Sequence, residues 1–409
     1  MIATYQPETD ILSASKIDLD LEEILTDLTA NDFAAAMGVY ESGTNSDQTL
    51  QSISQPGATS MVSDTWWPIY KVYWADQINY ADEFVQKYGG AGAPYQDATR
   101  VELVKKGIAY QGVWMYAVHK FETAIADCLK GTTADVNSAK LNWDKGMAYY
   151  VGSLEGEYET SADIASDGNL LYSLAQKRCE NFGTCERSTD KTTFAAVNSE
   201  IQSADGFAVQ GKNLLYNRVG CGDAGLDVAF KGIVSQMTVP LVQGLLRYAW
   251  KADPEMEDSC DGQENTDADA VAANDAIANT DCAKSWAEGW AFAAAVLPQV
   301  HKCDATAATT IRANLDVTST AGPMKDGVAA VKAAIEGVYD CLGITCTDVG
   351  AFQNSGQVKS GMAACTFAPS NDVDSTASSG ATVPMDTDSA VRRAGAALAG
   401  TVVAVAVIA

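Results

Sequence analysis

The chain has 409 residues, of which 53 are acidic and 27 are basic, so the formal net charge is −26. A surface of this sign repels phosphate backbones, which excludes nucleic acid as a natural partner. Hydrophobic residues make up 47% of the chain and are numerous enough to build a sizeable core.

Apolar side chains along the chain follow the period of an α-helix. They recur at Val104, Ile108, Met115, Val118 and Ile125, close to every 3.6 residues. Alanine-rich stretches at 283–297 and 328–340 add helix propensity, whereas alternating strand patterns are scarce. The sequence therefore predicts an all-α fold.

Two parts of the chain resemble each other, which predicts an internal duplication. The segment Gln111–Cys128 aligns without gaps with Gln243–Cys260, and two further pairs of segments follow in the same order. These pairs are Trp143–Tyr149 with Trp286–Phe292, and Cys179–Cys185 with Cys341–Cys346. We predict two related helical-bundle modules, a first one at 1–195 with an N-terminal extension and a second one at 196–366.

The ten cysteines are scattered rather than arranged as CxxC pairs, which favours disulfides and an oxidising compartment. Cys179 with Cys185, and Cys341 with Cys346, are near enough in sequence to close small local loops. The first module holds three cysteines and the second seven. Because both counts are odd, full oxidation requires at least one disulfide between the modules.

The C-terminal end has the pattern of a GPI-attachment signal. Three small residues, Ser378, Ser379 and Gly380, precede a polar spacer, and an apolar run occupies 394–409. The alternative is a short transmembrane tail, but sixteen helical residues cover only about 24 Å of a ~30 Å hydrocarbon core. Residues 367–393 are predicted to be a disordered stalk. No signal peptide is visible after Met1, so we expect the native N-terminus to lie upstream.

Catalytic motifs are absent, whereas oxygen ligands for a metal are abundant. The chain has two histidines and lacks GxSxG, HExxH, GxxxxGK[ST] and GxGxxG. Hard cations such as ferric iron favour carboxylate oxygens and also accept imidazole. The candidate metal ligands are Asp144, Glu155, Glu157 and Glu288, with His119 and Glu122 as a second set one helical turn apart. The alternatives are a solvated acidic helix face for the carboxylates and a hydrogen-bonded core residue for His119.

Five runs of sequence carry a resemblance to a known family. They are SKIDLDLEEILTDLTANDFAAAMGVYESG from Ser15, WDKGMAYYVGSLEGEY from Trp143, GNLLYSLAQKRCENFGTC from Gly168, VPLVQGLLRYAW from Val239 and AKSWAEGWAFAAAVLPQV from Ala283. Over most of 15–366 the chain resembles the algal iron-assimilation family, also known as high-carbon-dioxide-inducible periplasmic proteins. The resemblance implies a secreted or surface-attached protein that assists iron uptake and has no catalytic activity.

This chain differs from the family pattern at the two tryptophan motifs. The family pattern places Asp and then Glu after the tryptophan. Here the first copy has Asp144 followed by Lys145, and the second has Ala287 followed by Glu288. If these acids bind iron, one composite site is expected rather than two equivalent ones.

The sequence thus predicts an extracytoplasmic iron-binding protein at an algal cell surface, held by a lipid anchor. It would capture ferric or ferrous iron for a membrane ferric reductase, oxidase or transporter. The alternative function is a structural or adhesive cell-wall protein with no specific metal site.

Overall fold

A computed structural model describes residues 5–55, 60–155, 167–187, 193–216, 221–222, 224–256, 260 and 277–366. Within these residues helices predominate and the strands are few and short, so the predicted all-α class is confirmed. Glu157, the small residues Ser378, Ser379 and Gly380, the stalk at 367–393 and the apolar run at 394–409 lie outside the described residues.

The first helices are α1 (Leu12–Ser15), α2 (Ile17–Thr29), α3 (Phe33–Ser42), α4 (Leu50–Ser54), α5 (Trp67–Tyr73), α6 (Tyr80–Gly89), α7 (Asp97–Gly107), a π-helix (Ile108–Val113), α8 (Trp114–Lys130) and α9 (Thr133–Val151). The later helices are α10 (Leu171–Phe182), α11 (Ala196–Gln202), α12 (Phe207–Tyr216), α13 (Ala224–Ala252), α14 (Thr280–Cys303), α15 (Ala305–Leu315), α16 (Gly327–Glu336), α17 (Tyr339–Leu342) and α18 (Cys346–Val349). Two antiparallel pairs of short strands complete the described part: β1 (Cys185–Arg187) pairs with β2 (Thr193–Ala195), and β3 (Gln353–Asn354) with β4 (Gln357–Val358).

Local sequence signals account for many helix ends. Thr132 caps α9 by accepting a hydrogen bond from the Asp135 backbone N–H, and Asn279 caps α14 in the same way. The chain turns between α8 and α9 at Gly131, whose φ of 82° lies in the left-handed region that favours glycine. These signals place α8 and α9 side by side as a helical hairpin.

The helices share one core. Helices α13 and α14 pack along each other, α14 also packs against α7, and α12 packs against both α9 and α13. Buried hydrophobic residues form one cluster that extends in sequence from Tyr5 to Met362. Elements before and after residue 195 therefore contribute to the same interior. The duplication stays a prediction, because a shared core neither requires nor excludes it.

The π-helix interrupts the regular helical path between α7 and α8. Such segments contain i→i+5 hydrogen bonds and are frequent at functional sites. Close contact surrounds this segment: a Cβ on Gly112 would lie 2.4 Å from Ser54 Oγ, so α4 packs directly on its backbone. The side-chain amide of Gln111 is buried and has no hydrogen-bond partner among the described residues.

All ten cysteines pair, in five disulfides. The local Cys179–Cys185 bond is as predicted, and Cys128–Cys221 joins residues 1–195 to residues 196–366, as the odd cysteine counts require. The remaining three bonds are Cys260–Cys282, Cys303–Cys341 and Cys346–Cys365.

The local loop between Cys341 and Cys346 was a wrong prediction. Cys341 lies on α17, which packs against α14, and it therefore meets Cys303 at the end of α14. Cys346 is the first residue of α18 and bonds to Cys365 instead. Contacts between helices, rather than closeness in sequence, decide these two pairings.

In the described part of the chain, no helix is long and apolar enough to cross a membrane.

Candidate metal centre

Asp144, the first candidate ligand, fastens the N-terminal segment to α9. It is fully buried, and its carboxylate accepts hydrogen bonds from Tyr5 Oη at 2.6 Å, from the backbone N–H groups of Glu8 and Thr9 at 3.0 and 2.9 Å, and from Thr9 Oγ1 at 2.8 Å. Burial, followed by the charge of Asp144, raises the pKa of Tyr5 well above its usual range. Iron could bind Asp144 only if several of these bonds broke.

Glu288, the second acid of the predicted composite site, belongs to a different cluster. It lies on α14 with 8% exposure, and one of its oxygens is 2.6 Å from Lys106 Nζ on α7. Lys106 also contacts Glu102, one turn earlier on α7. Among the described residues, Asp144 and Glu288 share no hydrogen-bond partner, so the structure does not bring them together as one site.

Glu155 is buried beyond the end of α9, with 4% exposure. Its Oε1 accepts a hydrogen bond from the Gly168 backbone N–H at 2.9 Å. Burial raises the pKa of Glu155 to about 7, although the Gly168 N–H and the nearby charge of Lys177 oppose the rise. Because Asp144, Glu155 and Glu288 are all buried, the alternative of a solvated helix face is wrong for these three acids.

The second predicted set, His119 and Glu122, lies on one face of α8 and meets a loop. The buried ring of His119 lies with Nδ1 2.8 Å from Asp64 Oδ2, and Glu122 accepts hydrogen bonds from the Thr65 backbone N–H at 2.8 Å and from the Thr65 hydroxyl. The other carboxylate oxygen of Glu122 is buried and has no hydrogen-bond partner among the described residues. We call Asp64, His119 and Glu122 the α8 cluster.

The electrostatics of the α8 cluster disfavour negative charge. Burial raises the pKa of Glu122 to about 6, and the nearby carboxylate of Asp64 adds to the rise while Thr65 opposes it. Burial also raises the pKa of Asp64, against the hydrogen bond with His119. Two carboxyl groups with raised pKa values beside an imidazole would gain from a cation.

Further donors and cations surround the α8 cluster. The ring of Tyr116 lies 5.6 Å from that of His119 and 5.0 Å from that of Tyr149, whose hydroxyl is buried without a hydrogen-bond partner among the described residues. Burial, together with the charge of Lys145, lowers the pKa of Lys120 to about 8. The neighbourhood therefore combines carboxylate, imidazole and phenol groups.

No motif in the sequence points to Asp64 as part of this cluster. It lies 55 residues before His119, in the loop ahead of α5. The only local signal is its position just before the Thr65-Trp66-Trp67-Pro68 segment, where proline favours a helix start. His119 is the hydrogen-bonded, buried histidine that the alternative described. Across the described residues, no three His, Cys, Asp or Glu side chains are arranged so that they could hold a metal ion.

A comparison with protein families now adds to this geometry. Residues 1–186 match the Fea1 family of low iron-inducible periplasmic proteins. Over these residues the match confirms the resemblance to the iron-assimilation family, and they include α1 to α10, hence the α8 cluster, Asp144 and Glu155. The resemblance of residues 187–366 stays a prediction. No curated protein and no solved structure matches the chain. A periplasmic or extracellular location agrees with the family's description and with five disulfides.

Proposed function

We propose that this protein captures iron outside the cytoplasm and holds it for an uptake system, as a binding protein rather than an enzyme. The observation that carries the proposal is the family match of residues 1–186, within which the α8 cluster lies. A GPI anchor at Ser378, Ser379 or Gly380 would hold the protein at the cell surface. Anchoring raises the local concentration of captured iron beside a transporter or reductase, so very high affinity is not required.

The α8 cluster supplies the chemistry that iron prefers. Carboxylate oxygens suit hard cations and imidazole suits iron in either oxidation state. The unpartnered oxygen of Glu122 is buried, which is unfavourable for an ionised carboxylate unless a cation lies beside it. Asp64 and His119 already contact each other, whereas the three side chains are not arranged around one point among the described residues, so iron binding requires them to rotate toward a common ion.

Iron capture at this site involves an exchange of partners. The ion displaces the proton that Glu122 holds at acidic pH. It also takes the place of the hydrogen bond between Asp64 and His119, because both groups then bind the ion. Glu122 also releases its contacts with Thr65, an exposed residue that water can then solvate. Tyr149, whose ring contacts that of Tyr116 beside His119, offers an additional phenol oxygen that has no hydrogen-bond partner among the described residues.

Replacing both carboxylates of the cluster should abolish stoichiometric iron binding. We expect about one iron per chain for the chelator-stripped and repleted wild type, and none for Asp64→Asn/Glu122→Gln, because the amides cannot neutralise the ion's charge. The measurement is iron content by elemental analysis after desalting, with calcium in excess.

The matched control is Glu83→Gln, which removes an exposed carboxylate on α6 and should leave the iron content unchanged. Circular dichroism checks that helicity is intact in each variant. Full iron retention by the double variant would refute the assignment of the α8 cluster.

Iron binding should weaken as the pH falls through about 6. The Glu122 carboxyl must lose its proton to bind the ion, and its pKa of about 6 makes that proton an effective competitor at and below that pH. A titration with ferrous iron under anaerobic conditions between pH 5 and 8 measures the affinity. Glu122→Gln should bind more weakly at pH 7.5 and show a shallower dependence on pH. Equal slopes for both proteins would exclude Glu122 as the proton-linked ligand.

A further inference from the structure

A cavity lined by none of the α8-cluster residues lies beside α7 and the π-helix. It has a volume of about 200 Å³ and is bounded by residues of α2, α7, α10, α13 and α14 as well as by Tyr110 of the π-helix. Its apolar wall includes Leu21, Leu25 and Leu174. We call it the α7–α10 pocket.

The lining of the α7–α10 pocket is cationic, although the chain as a whole carries a net charge of −26. Among the described residues, Lys105, Lys106, Lys177 and Arg178 border it, and Glu288 is the one acidic residue that does. Glu288 is already engaged with Lys106 at 2.6 Å. Lys105 and Lys106 are also both paired with Glu102. Within the described residues, neither Lys177 nor Arg178 forms an ion pair, so these two residues carry the excess positive charge of the pocket.

Arg178 is built into this pocket rather than placed on the surface. It is 7% exposed, donates to Asn181 Oδ1 at 2.6 Å, and lies with its guanidinium 5.7 Å from the ring centre of Tyr248 and 5.9 Å from that of Phe292. Its Nε is buried and has no hydrogen-bond partner among the described residues. A guanidinium with an unused N–H is suited to a planar or tetrahedral oxyanion.

The aromatic rings beneath the cations fix their positions. Phe292 stacks between Tyr110, at 5.2 Å, and Tyr248, at 5.7 Å, and Lys106 Nζ lies 5.9 Å from the Phe292 ring centre. Burial lowers the pKa of Arg178, and it lowers that of Lys105 together with the charge of Lys106. Partial desolvation at the pocket also lowers the pKa of Lys177, although the residue as a whole is exposed. An anion in the pocket would relieve this unfavourable burial of positive charge.

We propose that the α7–α10 pocket binds a small oxyanion, a carboxylate or a phosphate, through Arg178 and Lys177. This site is separate from the proposed iron function, because it uses none of the α8 cluster. The apolar side of the pocket leaves room for a short hydrocarbon portion beside the anionic group.

The test is calorimetric titration of the full, metal-free chain with malonate and, separately, with inorganic phosphate, at constant ionic strength in chloride. Saturable binding of one anion per chain is expected. Tighter binding of malonate would identify a carboxylate site, and tighter binding of phosphate would identify a phosphate site. Because iron is absent, failure of the iron proposal cannot affect this result.

Two variants test whether the anion occupies this pocket. Arg178→Gln should abolish saturable binding, with helicity monitored because Arg178 is buried. Lys177→Gln changes an exposed residue that borders the pocket and should weaken binding about tenfold by removing one charged contact. The matched control, Lys302→Gln, removes an exposed lysine at the end of α14 and should leave the affinity unchanged. The proposal is overturned if neither anion saturates the wild type, or if Lys177→Gln and Lys302→Gln have equal effects.

Discussion

Replacement of Lys106 by methionine is expected to lower the free energy of unfolding by about 3–5 kcal/mol near pH 7.5, because it leaves two buried carboxylates without the cation between them. Lys106 Nζ contacts both Glu102, which is 2% exposed, and Glu288, which is 8% exposed. Burial alone would raise the pKa of Glu102, but Lys106 and Lys105 outweigh it and hold that pKa at about 2. Urea denaturation followed by circular dichroism measures the loss.

The destabilisation should depend on pH. In the variant, Glu288 has no ion-pair partner among the described residues, and an unpaired buried carboxylate costs more free energy when it is ionised than when it is protonated. The ionised form prevails at higher pH. We therefore expect a smaller loss relative to wild type at pH 5 than at pH 8.

Lys284→Met is the matched control for this experiment. Lys284 lies 3.5 Å from the same carboxylate, Glu102, but its side chain is 48% exposed, so its removal should change stability by less than about 1 kcal/mol. Adding Glu288→Gln to Lys106→Met should recover part of the loss, since it removes the uncompensated charge. Equal effects of the two lysine replacements would contradict a buried triad.

The helices and the compartment were predictable from sequence because their signals are local. The apolar period around Val104–Ile125 and the caps at Thr132 and Asn279 depend on residues a few positions apart. The pairing of Cys179 with Cys185 follows from the same closeness. Local spacing also places His119 and Glu122 on one face of α8.

The partners of the candidate acids were not predictable, because they come from distant parts of the chain. Asp64 approaches His119 across 55 residues, Tyr5 reaches Asp144 across 139, and Lys106 meets Glu288 across 182. The sequence alone does not show whether a carboxylate binds a metal, holds a chain segment through hydrogen bonds (here called a clamp) or forms an ion pair. Only the packing of helices distinguishes these roles, and it assigns the clamp to Asp144 and the ion pair to Glu288.

The Cys128–Cys221 disulfide is expected to contribute about 4–5 kcal/mol to stability. It closes a loop of 93 residues between the last turn of α8 and the segment ahead of α13, and Cys128 is fully buried. On the chain-entropy account, the stabilisation grows with the logarithm of loop length, because the bond restricts the unfolded chain. Cys128→Ala/Cys221→Ala should therefore lower the free energy of unfolding by about this amount in denaturant titrations.

The Cys179–Cys185 disulfide provides the internal comparison for this prediction. It spans six residues, so the same account gives only about 2 kcal/mol for Cys179→Ala/Cys185→Ala. Both pairs are replaced by the same residue, and Cys179, like Cys128, is buried, so the loss of side-chain packing is similar. The difference between the two variants then reports mainly on loop closure. A larger loss for the short loop would show that native packing, rather than restriction of the unfolded chain, governs how these bonds stabilise the protein.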